Sequence, residues 1–175
     1  MGGLAGVLEL TLHGNDLTFP HSEFVSLGID SMLGYCYAIT LAEENGALSL
    51  DGMGLARVPP DVLNLKDLSC LTVSMNSLAE LPATIGVMRG LTKLVASSNR
   101  IEHIPETLCE IVTLQHLDLS HNLIGTLPDQ LGFMYDLTSI QLSHNRLKTL
   151  PPDLGYLTGV TYLGLEGNPL AFPLS

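Results

Sequence analysis

The chain has 175 residues, 46% of them hydrophobic, which is enough apolar material for one continuous core. Eighteen acidic residues against seven basic ones give a formal charge of -11, so a nucleic acid would meet an unfavourable field and is not expected as a partner. Three cysteines without close pairing, and no Asn-x-Ser/Thr acceptor, argue against a small secreted disulfide scaffold and for a reducing, cytoplasmic setting.

Along the chain, the apolar start from Met1 to Leu12 lacks a positive leader and carries Glu9, and no apolar run reaches the roughly 18 residues of a spanning helix, so membrane insertion is not expected. Met1-Gly2 opens a myristoylation pattern that Gly6 breaks, because Ser or Thr is required there. A first repeat-like unit runs from Val7 to about Ile29, with Leu10, Leu12, Asn15, Leu17 and Pro20, then Phe24 and Leu27 on the buried side. The next stretch, about residues 30–44, fits neither a whole repeat nor none. Tyr35 to Leu41 alternates like a strand, while Phe24 to Glu44 also reads as a lengthened return helix. The preferred reading is an insertion bulging on one flank, either a partner-binding elaboration or simple drift.

From residue 45 a period of 23 takes over. Units starting at Leu68, Leu91, Leu114 and Leu137 follow L-x-x-L-x-L-x-x-N-x-L-x-x-L-P-x-x-L-G without a gap, with columns Asn76, Asn99, Asn122, Asn145 and Pro82, Pro105, Pro128, Pro151. A unit from Asn45 places Met53 in the Asn slot, and another from Val160 stops after Asn168 and a displaced Pro173. Each L-x-L alternates like a short half-buried strand, and each Pro turns the chain into a return segment. One such unit cannot close a core, whereas stacked units share one.

These columns resemble the leucine-rich repeat family, and the L-P-x-x-L-G half resembles its intracellular Ras-group branch. The resemblance covers residues 45–175 closely and 1–29 loosely. It implies an α/β fold: a right-handed β-α superhelix, a solenoid of about seven strands with a parallel sheet on the concave face and short helical or irregular segments on the convex face. It also implies an Asn ladder hydrogen-bonded inside the turns. The whole chain, 1–175, reads as a single leucine-rich repeat domain. Met1-Gly2-Gly3-Leu4 aligns with the end of a preceding unit and the chain stops within another, so a slice of a longer array is expected.

The scaffold columns build the fold, and chemistry is left to the residues between them. Period two turns three columns outward on the concave sheet. Between the leucines stand Thr11, Ser49, Thr72, Val95, Asp118, Gln141 and Gly164; before them Glu9, Ala47, Cys70, Lys93, His116, Ser139 and Tyr162; after them His13, Asp51, Ser74, Ser97, Ser120, Ser143 and Glu166. The middle is small and polar, and character gathers at Lys93, His116, Asp118, Gln141 and Tyr162. Beside the Asn column, Arg100, His121, His144 and Arg146 suggest a basic rim suited to carboxylates or phosphates. His116, Asp118, His121 and His144 lack the pocket, oxyanion site and close Cys/His spacing that catalysis or a metal needs, so no catalytic residue, metal or other cofactor is expected.

The expectation is therefore a non-enzymatic scaffold for protein binding in signal transduction. The Ras-group resemblance implies small GTPases or signalling proteins as partners. The alternative is the regulatory or substrate-presenting repeat region of a larger kinase, cyclase, phosphatase or ubiquitin ligase.

Overall fold

The computed structural model describes residues 28–171. The expected first unit lies outside the described residues except for its last two, and so does Pro173. Six strands of three residues each form one parallel sheet in sequence order: β1 Ala47–Ser49, β2 Cys70–Thr72, β3 Lys93–Val95, β4 His116–Asp118, β5 Ser139–Gln141 and β6 Tyr162–Gly164. Each is a copy of the same slot of the 23-residue unit, and the register pairs like with like: Leu48, Leu71, Leu94, Leu117, Ile140 and Leu163. The expected seventh strand falls in the first unit.

Between strands the chain returns through short 3-10 helices, Pro60–Asn64, Ile85–Val87, Glu106–Glu110, Asp129–Phe133 and Pro152–Tyr156. The L-P-x-x-L spacing explains them. The proline ring holds φ near -65°, and the carbonyls of Pro105, Pro128 and Pro151 accept the N–H of Leu108, Leu131 and Leu154 at 2.9–3.1 Å. The following glycine permits close stacking: a Cβ on Gly86 would stand 2.5 Å from the Thr107 carbonyl oxygen, and one on Gly132 would run into the Asp153 carbonyl. Cys109 occupies the same slot in the intervening unit, half-buried against the core.

The Asn column ties adjacent units together. Asn122 donates from Nδ2 to the carbonyls of Ala96, Leu119 and Ser120 at 3.0–3.2 Å, while its Oδ1 accepts the Ile101 N–H at 3.0 Å. Asn76, Asn99, Asn145 and Asn168 repeat the arrangement, so each amide, buried in the middle of the series and partly buried at Asn76 and Asn168, satisfies backbone groups of its own unit and the preceding one. Leucine, isoleucine and valine columns fill the space between sheet and return segments in one core.

Residues 30–44 are not a strand. They belong to a 17-residue α-helix, α1, Ile29–Asn45. Met32, Tyr35, Ile39 and Ala42 recur at three- and four-residue spacing and bury one face, which overrides the two-residue alternation read between Tyr35 and Leu41. Tyr35 is fully buried and donates to Asp61 at 3.4 Å; burial first, and that carboxylate second, push its hydroxyl pKa up. The helix ends at Gly46, whose left-handed φ of 69° lets its N–H close on the Ala42 carbonyl at 2.9 Å and turns the chain into β1.

Candidate functional site on the concave sheet

The strand alternation buries the central leucine or isoleucine of each triplet and turns its flanks outward, with β6, where Leu163 is 41% exposed, departing from the rule. In β3 to β5 the outward residues bound a shallow depression of about 380 Å³ lined by Lys93, Val95, His116, Leu117, Asp118, Ser139 and Gln141. Lys93 pairs in register with His116, and Asp118 with Gln141, so a cation, an imidazole, a carboxylate and an amide share one surface. Asp118 is held in place: its Oδ1 accepts from the Ser120 N–H at 2.9 Å and from the Ser120 hydroxyl at 2.7 Å. Its other oxygen has no protein partner among the described residues and remains available to a ligand.

Gln141 is oriented from the far side. Its Nε2 donates to the Tyr162 hydroxyl at 3.1 Å, which joins Tyr162 to the patch. The amide lies across the neighbouring strand because Gly164 stands opposite it; a Cβ there would run into Gln141 Oε1. Gly164 is therefore buried beneath the Gln141 amide and shapes the surface from below, although its column alone shows only a missing side chain.

The rim residues fall into two arrangements. His121 and His144 stack with ring centroids 4.4 Å apart and planes 17° from parallel. Both occupy the left-handed region at φ 54°, as do Met75 at φ 54° and Ser98 at φ 55°. Gly52 and Gly167 fill the same slot at the ends of the series, with φ of 67° and 73°. The stack rests on Gly167, where a Cβ would stand 2.5 Å from His144 Nδ1. Arg100 and Arg146 are exposed, with no side-chain partner among the described residues, and Leu123 stands between them in the column. Two repeats separate them, or about 10 Å along the solenoid at the usual strand spacing, so they are separate charges along one edge.

Among the described residues, no three His, Cys, Asp or Glu side chains are gathered as a metal site would need, and no helix is long and apolar enough to cross a membrane. Cys36, Cys70 and Cys109 are all free.

Attention to the strand columns alone passes over a second surface. On the return side, Phe133, Tyr135 and Tyr156 are 47%, 63% and 57% exposed, and the Phe133 ring meets both tyrosine rings. The signal was present in the period, since Phe133 and Tyr156 occupy the same slot of successive units.

Known proteins resemble the chain in repeat and in fold. Residues 112–170 match the family model described as "Leucine rich repeat". Among solved structures, a leucine-rich repeat protein of Leptospira interrogans superposes with a TM-score of 0.68 at 29% identity, covering 74% of this chain and 34% of that one. YopM from Yersinia enterocolitica gives 0.65 at 25%, covering 81% and 29%. The BIR2 ectodomain from Arabidopsis thaliana gives 0.61 at 25%, covering 72% and 68%. The chain thus spans about a third of the length of the Leptospira protein. No curated protein matches it. None of these matches indicates an enzymatic family.

Proposed function

We propose that this chain, a solenoid of leucine-rich repeats, binds a protein partner on its concave face, centred on β3 to β5, and serves as a scaffold in intracellular signalling. The observation that carries the reading is the depression where Lys93, His116, Asp118 and Gln141 meet over a rigid sheet. Two of its side chains are positioned before binding, Asp118 by Ser120 and Gln141 by Tyr162, so these two need little ordering when a partner arrives. Open geometry and mixed polarity suit a protein surface better than a small molecule, which calls for a deeper and more apolar enclosure. Arg100, Arg146 and the His121–His144 stack lie along the edge and would receive acidic side chains from the same partner.

The free cysteines support a reducing compartment. The L-P-x-x-L-G return segments support a Ras-group scaffold, with small GTPases or other signalling proteins as the partner class. The test is affinity capture with the wild-type chain followed by titration of the captured protein against an Arg100→Ala/His116→Ala/Arg146→Ala variant. The expected outcome is a loss of affinity of about tenfold or more, with the melting temperature almost unchanged because all three side chains are exposed. Unchanged affinity would place the partner elsewhere on the molecule.

A further inference from the structure

The return flank of the later repeats combines two features that call for the same partner. The first is aromatic. Phe133 stacks on Tyr156 with centroids 5.9 Å apart and meets Tyr135 edge-on at 6.5 Å, and all three rings are about half or more exposed. Val112, 61% exposed, precedes Tyr135 by one repeat and extends the apolar surface in register. Contiguous exposed rings of this kind mark interaction sites on soluble proteins.

The second feature is charge. The return segments at 104–113, 127–136 and 150–159 contain no Lys or Arg but carry Glu106, Glu110, Asp129, Asp136 and Asp153. Glu110 occupies the slot of Phe133 one repeat earlier, Asp136 follows Tyr135 directly, and Asp153 packs against Gly132 beside Phe133. An apolar partner covering the rings would strip water from these carboxylates and leave them unpaired, which is costly. A cationic partner meets both demands: a guanidinium lays its plane on an aromatic face and turns its N–H groups to a carboxylate.

We propose that the flank formed by Phe133, Tyr135 and Tyr156 with Glu110, Asp136 and Asp153 is a second interface, which binds an arginine-bearing segment of a partner protein. It lies on the opposite side of the core from the concave sheet and does not depend on the concave reading.

The experiment uses the 175-residue chain and a fluorescein-labelled dodecapeptide of alternating arginine and serine, followed by fluorescence anisotropy. Versions with lysine or glutamate in place of arginine serve as comparisons. The proposal expects the arginine peptide to bind, the lysine peptide to bind more weakly, and Phe133→Ser/Tyr156→Ser to lower affinity about tenfold. Tyr37→Ser, an exposed ring on α1 outside both surfaces, should leave binding unchanged. Equal binding to wild type and the Phe133→Ser/Tyr156→Ser variant would overturn the proposal, because diffuse attraction to an acidic chain would then suffice. Equal binding of the glutamate peptide would overturn it as well, as would sedimentation showing that a second copy of the chain covers the rings. If circular dichroism shows Phe133→Ser/Tyr156→Ser unfolded, the single Tyr135→Ser and the isosteric Glu110→Gln/Asp153→Asn variants decide by the same criterion.

Discussion

The concave sheet and the return flank of the same repeats are built from one 23-residue period and have diverged in opposite directions. Across β3 to β5 the free positions hold Lys93, His116, Asp118 and Gln141, polar groups of which Asp118 and Gln141 are fixed by neighbours. Behind the core, the free positions of the return segments hold rings and carboxylates and no Lys or Arg. The scaffold columns are shared by both sides, so one set of buried contacts carries two surfaces of different polarity. A solenoid acquires binding character slot by slot, at positions its core does not constrain.

The largest effect should come from a residue that supports both sides. Asn122 sits between β4 and the return segment, and its amide satisfies three carbonyls and one N–H. Asn122→Leu keeps approximate volume but leaves the buried Ile101 N–H without a partner, and it takes one of two donors from the carbonyls of Ala96, Leu119 and Ser120, which keep Asn99, Asn145 and the Ser98 N–H. The expected loss is about 3 kcal/mol, the orphaned N–H at about 1–3 kcal/mol together with the weakened bonding of the three carbonyls. Urea denaturation checks it, and both concave and flank binding should fall together. If one surface keeps its affinity while stability drops, the two sides are less coupled than a shared core requires.

A change confined to the flank should be smaller and dependent on pH. Burial, and secondarily Glu106, push the Cys109 thiol from the ordinary 9.0 up to about 11. The folded chain therefore keeps its proton where the unfolded chain has lost it, so the unfolded state binds fewer protons between these values. Stability is unaffected below pH 9 and falls as pH rises from about 9 to about 11, by at most about 1.4 kcal/mol per pH unit from this group. Thermal melts across that window should show the decline, and Cys109→Ala should flatten it in part, with Tyr35 titrating in the same direction at still higher pH. A decline of equal slope in Cys109→Ala would assign it to other groups.

The repeat was legible in the sequence because its columns are enforced by burial and by backbone hydrogen bonds that admit few residue types. Leu94, Leu117 and Ile140 face the core, and Asn99 and Asn145 satisfy buried carbonyls, so the period shows directly. The gathering of Lys93, His116, Asp118 and Gln141 was legible for the same reason, since a known register places outward columns side by side. Helix α1 was not settled, because Tyr35 to Leu41 satisfies alternation and helical spacing at once and packing decides between them. The Phe133, Tyr135 and Tyr156 cluster is not legible in the scaffold columns, because Tyr135 stands in a different slot from Phe133 and Tyr156 and only packing brings the three rings together. The histidine stack depends on backbone conformation: only Gly52 and Gly167 hinted that their whole column is left-handed.

That left-handed column supplies the smallest and most local test, at the edge of the concave surface. Met75 holds φ 54° with its side chain 65% exposed, so it bears backbone strain with little compensating burial. A non-glycine residue in this region costs about 1–2 kcal/mol, part of which glycine returns as greater freedom of the unfolded chain. Met75→Gly should therefore raise stability by about 0.5 kcal/mol, read as a small increase in urea midpoint at constant slope. The same change at His144 should not help. There the ring lies against His121 and over Gly167, so the glycine variant loses the stack as it relieves the strain. A gain at Met75 with no gain at His144 would show that the stacked imidazoles offset their backbone cost. Equal gains at both would make the stack energetically idle and would weaken its role as part of the rim.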